Sequence, residues 1–95
     1  MEVIITKSYI KDLAKLPKPV IAAADEIINK LRSAKSLQSS GMDFQKMEGQ
    51  KKGEKYYRIR TGEYRIGIEN INPKIIVLVI VKRESIYQVF PPSKK

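Results

Sequence analysis

The chain has 95 residues and a formal net charge of +9, with 19 lysines and arginines against 10 aspartates and glutamates. It contains neither cysteine nor histidine, which excludes disulfides, thiol nucleophiles, thiolate zinc sites and imidazole acid–base chemistry together. The positive balance calls for a nucleic acid, an acidic protein or an anionic membrane as partner, and without a bilayer-length apolar run or a leader-like start the membrane ranks last.

Val3, Ile4 and Ile5 form a short β-branched run suited to a first strand over residues 2–6. Ser8 is placed to cap a helix beginning at Tyr9, in which Tyr9, Ile10, Leu13 and Leu16 recur at helical spacing. Lys7, Lys11, Lys15 and Lys18 recur on its other side, the pattern of a solvated face. Pro17 and Pro19 stop this helix and open a second, whose Val20, Ala24, Ile27, Ile28 and Leu31 mark one apolar face as far as about residue 34. A loop over 36–41, a short edge element over 42–47 and a charged turn over 50–54 lead into a hairpin over 55–69. After a turn at 70–73, residues 75–81 are apolar at every position, as in a strand buried on both faces inside a sheet. A short element over 85–90 carries Tyr87. The order predicts an α+β fold: an N-terminal strand, a two-helix hairpin, then a twisted, mostly antiparallel sheet. Residues 1–92 are expected to form a single domain, with a frayed tail over 93–95.

The hairpin, K-Y-Y-R-I-R-T-G-E-Y-R-I-G-I-E, carries the chemistry. Alternation puts Tyr57, Ile59, Tyr64, Ile66 and Ile68 toward the helices and Tyr56, Arg58, Arg60, Arg65 and Gly67 on the other face. With Thr61 and Gly62 as the turn, Arg58 faces Arg65, Arg60 faces Glu63, and Tyr56 faces Gly67. Like charges opposed across a ladder cost about 0.2–1 kcal/mol, so either the arginines splay into water or the face holds a place for a polyanion. Gly67 opposite Tyr56 leaves room for a concave floor or a close ligand. Arg83 at the end of the apolar strand and Tyr87 just beyond add a guanidinium and a phenol. Forked guanidiniums that bind phosphate and rings that stack on bases suit RNA. Lys51, Lys52 and Lys55 are steering charges for RNA, and Glu63 is placed to neutralise Arg60, a further candidate RNA contact.

The run Y-Y-R-I-R-x-G-x-Y-R-I, an all-apolar strand and then K-R-E-S-I-Y resembles the RelE toxins of the RelE/ParE superfamily of toxin–antitoxin modules, over nearly the whole chain. The resemblance implies a RelE-like fold and a cytoplasmic endoribonuclease that enters the ribosomal A site and cuts messenger RNA without a metal or cofactor. The RNA's own 2′-hydroxyl attacks the adjacent phosphate, leaving a 2′,3′-cyclic phosphate and a 5′-hydroxyl. By the same resemblance, Arg65 and Arg83 stabilise the phosphate, and Tyr87 stacks on a base and assists proton transfer. Arg58 stands where a relative carries a catalytic lysine, and Tyr56 stands where a second lysine is expected. A neutralising antitoxin is the implied protein partner.

Arginine stays protonated and is a poor base, whereas neighbouring cations favour a phenolate. Tyr56 or Tyr87 is therefore the expected base, with Glu63 or Glu84 as substitutes. Two other readings share this fold: a ParE-like toxin that inhibits DNA gyrase without cutting RNA, and a basic domain that binds nucleic acid without catalysis.

Overall fold

A computed structural model describes residues 1–50 and 52–91. The candidate contact Lys51, Pro92 and the expected tail 93–95 lie outside the described residues. Strand β1 (Glu2–Ile5) is followed by helices α1 (Lys7–Ala14) and α2 (Lys18–Ser33), then β2 (Phe44–Lys46), β3 (Tyr56–Thr61), β4 (Tyr64–Ile71) and β5 (Lys74–Lys82). A 3₁₀ turn, Arg83–Ser85, runs directly into α3 (Ile86–Val89). The sheet order is β1-β5-β4-β3-β2. Only β1 runs parallel to its neighbour β5; the remaining pairs are antiparallel, as expected for this α+β class.

Thr6, not Ser8, caps α1. Its Oγ1 accepts from the Tyr9 N–H at 3.3 Å and donates to the Val77 carbonyl at 2.8 Å. Ser8 instead donates to the Leu78 carbonyl at 2.7 Å. Both hydroxyls tie the start of α1 to β5, where pairing with β4 slips: Gly67 lies opposite Val79, but Ile68 lies opposite Val77. Leu78 is the extra residue of this bulge, and it reverses the side-chain alternation of β5. Ile75, Val77 and then Ile80 face the helices, while Leu78, Val79 and Val81 pack on the other side. An unbroken apolar run is what a strand covered on both faces needs, and here it also hides the bulge. Pro17 in extended conformation starts α2, with Pro19 in its first turn, where no helical N–H is lost. Lys30 and Arg32 in the last turn complement the negative end of the helix.

The main core lies between the helices and the sheet, where Tyr9, Ala24, Ile28, Leu31 and Leu37 meet Ile59, Ile66, Ile68, Ile75, Val77 and Ile80. Each fully buried isoleucine contributes about 1.5–3 kcal/mol of apolar burial. On the opposite face a second cluster joins Met47, Tyr56, Ile86 and Phe90. Among the described residues no helix is long and apolar enough to cross a membrane.

The hairpin register corrects the sequence-based pairing. The loop is Gly62-Glu63, with Thr61 opposite Tyr64, Arg60 opposite Arg65, Ile59 opposite Ile66, Arg58 opposite Gly67 and Tyr56 opposite Glu69. Gly62 has φ +60°, which suits the first loop position of a type II′ hairpin turn and explains why the loop centres one residue later than Thr61-Gly62. Moving the turn by one residue shifts each partner by two. Every side chain therefore keeps its expected face, and only the opposing pairs change.

Candidate functional site

The face of the sheet away from the helices gathers the arginines. Along β2, Asp43, Gln45 and Met47 alternate onto this face beside β3, where Gln45 pairs with Arg58 in the register. Asp43, Gln45, Arg58, Arg60 and Arg65 line a concavity of about 120 Å³. The Arg58 Nη2 donates to Gln45 Oε1, Nη1 reaches the Met47 sulfur at 4.0 Å, and the guanidinium carbon stands 5.4 Å from the Tyr87 ring centroid. Arg65 Nη1 donates to the carbonyls of Gly62 at 3.0 Å and Tyr64 at 2.9 Å, so the hairpin loop aims it. The Arg83 N–H donates to the Glu63 carbonyl at 3.0 Å, which moors the end of β5 to the same loop.

Arg65 sits where these charges concentrate. Burial lowers its pKa, and Arg60, Arg83 and Arg58 lower it further, with Asp43 opposing them. A guanidinium is still protonated at neutral pH, so the crowding is positive potential awaiting an anion. The carboxylate found beside Arg60 is Asp43, at 3.8 Å, rather than the expected Glu63. That pair is exposed and worth little in stability, but it offsets charge at one edge of the concavity.

Tyr56 does not fit the expected role of a phenolate. It is 9% exposed and packs edge-to-face on Phe90, with centroids 5.3 Å apart and planes at 82°. Burial raises its pKa, and Glu69 and Glu54 raise it further, so the environment favours the neutral phenol. Nor does Gly67 leave open space. A Cβ there would stand 3.1 Å from two Phe90 ring carbons and 2.7 Å from Val79 Cγ2, so Phe90 fills the position that the glycine vacates. Tyr87 is half exposed beside Arg58.

Lys55 belongs to another part of the surface. It lines a separate concavity of about 330 Å³ with Lys46, Tyr57, Asn70 and Asn72, at the end of the hairpin away from its loop. Lys52 is exposed in the turn before β3. Neither shares the arginine concavity. Asp43, Gln45 and Phe90 were missed from sequence. The period-two spacing of Asp43, Gln45 and Met47 was the available signal for the first pair.

The fold and this arrangement define a small basic α+β domain with an arginine-lined sheet face. Residues 3–87 match the family model described as the ParE toxin of the parDE type II toxin–antitoxin system. The chain is 37% identical over 91 residues to Toxin RelE3 of Methanocaldococcus jannaschii, covering 96% of this chain and 100% of that protein. The crystal structure of a RelB–RelE antitoxin–toxin complex from Methanococcus jannaschii is similar with a TM-score of 0.75 and 35% identity, over 93% of this chain and 99% of that one. The archaeal RelE–RelB complex from Pyrococcus horikoshii gives 0.67 and 28%, over 86% and 93%. The chain belongs to the RelE/ParE superfamily of type II toxin–antitoxin toxins.

Proposed function

We propose that this protein is a ribosome-dependent messenger-RNA endonuclease, the toxin of a pair in which an antitoxin neutralises it. The observation that supports this reading is the convergence of Arg58, Arg60 and Arg83 on Arg65, with Tyr87 against Arg58. In the reaction, the 2′-oxygen bonds to the adjacent phosphorus, the bond to the 5′-oxygen breaks, and the products are a 2′,3′-cyclic phosphate and a 5′-hydroxyl. Arg65 and Arg83 stabilise the charge on the pentacovalent phosphate, and Arg58 assists beside Tyr87. Preorganised cations in such a position need no reorganisation as charge develops. Tyr87 stacks on a base next to the scissile bond, and its deprotonated phenolic oxygen takes the 2′-hydroxyl proton; water in the A site protonates the departing 5′-oxygen. Tyr56 then acts through packing. Lys52 and Lys55 lie outside the concavity and steer the basic domain to ribosomal RNA.

The antitoxin partner follows from family membership and from relatives solved as RelB–RelE complexes. A strongly basic domain attracts an acidic segment electrostatically. Work on translating ribosomes implies a cytoplasmic location.

The match to a ParE model keeps a second reading in view, in which the toxin inhibits DNA gyrase without cutting RNA. Primer extension on messenger RNA translated with and without the protein separates the two. Discrete cuts inside codons are the expected result. Intact message together with inhibited gyrase supercoiling would replace the first reading by the second.

A further inference from the structure

Tyr87 sits on a helix of four residues, Ile86–Val89, far too short to hold its geometry through its own hydrogen bonds. Its position is set from either side. Ile86 before it and Phe90 after it are each 1% exposed, while Tyr87 itself is 46% exposed. The Phe90 N–H closes the turn on the Ile86 carbonyl at 3.0 Å. The Phe90 ring lies against the bare backbone of Gly67, with Tyr56 edge-on to it. Gly67 is also the cross-strand partner of Arg58. One rung of the sheet therefore carries both the socket for Phe90 and the guanidinium that stands against the Tyr87 ring.

We propose that Phe90, seated on the Cβ-less surface of Gly67, is the positioning residue that holds Tyr87 against Arg58. This rests on the reading of Tyr87 as a group that touches RNA. A methyl group at Gly67 would press on Phe90 and on Val79, whose branched side chain has few rotamers to retreat into. Val79 has to shift and the Phe90 ring to give by a few tenths of an ångström, and the short helix joined to that ring moves with it. The glycine thus matters to the reaction from beneath the sheet surface, without touching RNA.

The test uses full-length protein carrying 3-fluorotyrosine, read by ¹⁹F NMR. Tyr87→Phe assigns the Tyr87 resonance, and Arg58→Gln gives its position without the guanidinium. Gly67→Ala should move the Tyr87 resonance toward the Arg58→Gln position. It should slow single-turnover cleavage about 3–10-fold, a fraction of the 10²-fold scale of a 1 Å misplacement, while the half-saturating ribosome concentration stays within about twofold. Phe90→Leu, a milder change, should move the resonance the same way and serves if Gly67→Ala fails to fold. Combined, the two substitutions should cost less than the product of their separate effects, since both act through one contact. Parental Tyr87 resonances in both single variants would overturn the proposal, as would a moved resonance with a parental cleavage rate. If the parent itself cuts no RNA while both variants move the resonance, the positioning stands and the nuclease reading fails.

Discussion

The Arg58 guanidinium carbon lies 5.4 Å from the centroid of the Tyr87 ring, while the same guanidinium donates to Gln45. A cation held on one side by an amide and on the other by an aromatic face has few orientations left. The pair joins two distant stretches of sequence into one surface. If Tyr87 only stacks, Tyr87→Phe should cut at the parental rate and Tyr87→Ala should lose about 1–3 kcal/mol of binding. If its phenol also moves the proton, Tyr87→Phe should lose about 10²–10⁴ in cleavage rate at unchanged ribosome affinity. The proposed mechanism expects the second pattern in single-turnover assays. Tyr56→Phe, by contrast, should stay within about tenfold of the parent, outside the range for loss of a general base.

Arg65→Ala and Arg83→Ala should each lower the single-turnover rate by about 10²–10³, the scale for removing one preorganised charge-stabilising donor. Arg83 is exposed, and its replacement should change stability by no more than about 0.5 kcal/mol. Arg65 also gives up two hydrogen bonds to carbonyls, for about 1 kcal/mol. Urea unfolding and cleavage measured on the same preparations separate the two effects. Equal, parental toxicity of both variants would remove the arginine cluster from the mechanism.

Asp43 tempers the arginine face, so Asp43→Asn should strengthen RNA and ribosome binding. If it frees Arg60 to neutralise one more phosphate, the logarithmic salt slope should steepen by about 0.7–0.9. Arg60→Ala should shallow the slope by a similar amount. Titrations at several salt concentrations read both changes, and an unaltered slope in Asp43→Asn would mean that Arg60 does not meet phosphate.

Tyr9 links stability to alkaline pH. Its hydroxyl is buried without a hydrogen-bond partner among the described residues, and burial, with a smaller push from Asp25, raises its pKa from 10.0 to about 12. The folded state therefore holds this proton more tightly than the unfolded chain. That contribution is fully present below pH 10 and is lost as pH rises from 10 to about 12. Tyr9→Phe should flatten this part of the stability–pH curve. At neutral pH it should be neutral or stabilising by about 1 kcal/mol, because it removes an unsatisfied buried hydroxyl. Thermal melts across the range would show either result.

Alternation in the hairpin was enough to assign residues 56–60 and 64–68 to their faces, because a register error of two residues preserves parity, although β4 runs on through Asn70 and Ile71, which the sequence suggests as a turn. It could not choose the opposing pairs, since Thr61-Gly62 and Gly62-Glu63 both place a glycine in the loop. The capping hydroxyl was ambiguous for a similar reason. Thr6 and Ser8 both suit a helix start, and the carbonyls of β5 decide between them. The bulge at Leu78 left no trace, because a run apolar at every position has no period to break. That Arg58, Arg60 and Arg65 share one face of the sheet was legible from their alternation. The Phe90–Gly67 contact was not, because it depends on a chain end folding back over a sheet surface.

The product ends offer the most direct measurement of the central claim. Purified ribosomes carrying a defined messenger RNA with an open A site would be mixed with excess protein, and the fragments analysed for their terminal chemistry. The account expects cleavage within the A-site codon, with a 2′,3′-cyclic phosphate on the upstream fragment and a 5′-hydroxyl on the downstream one. Intact message at saturating protein, or fragments bearing 5′-phosphates, would contradict it.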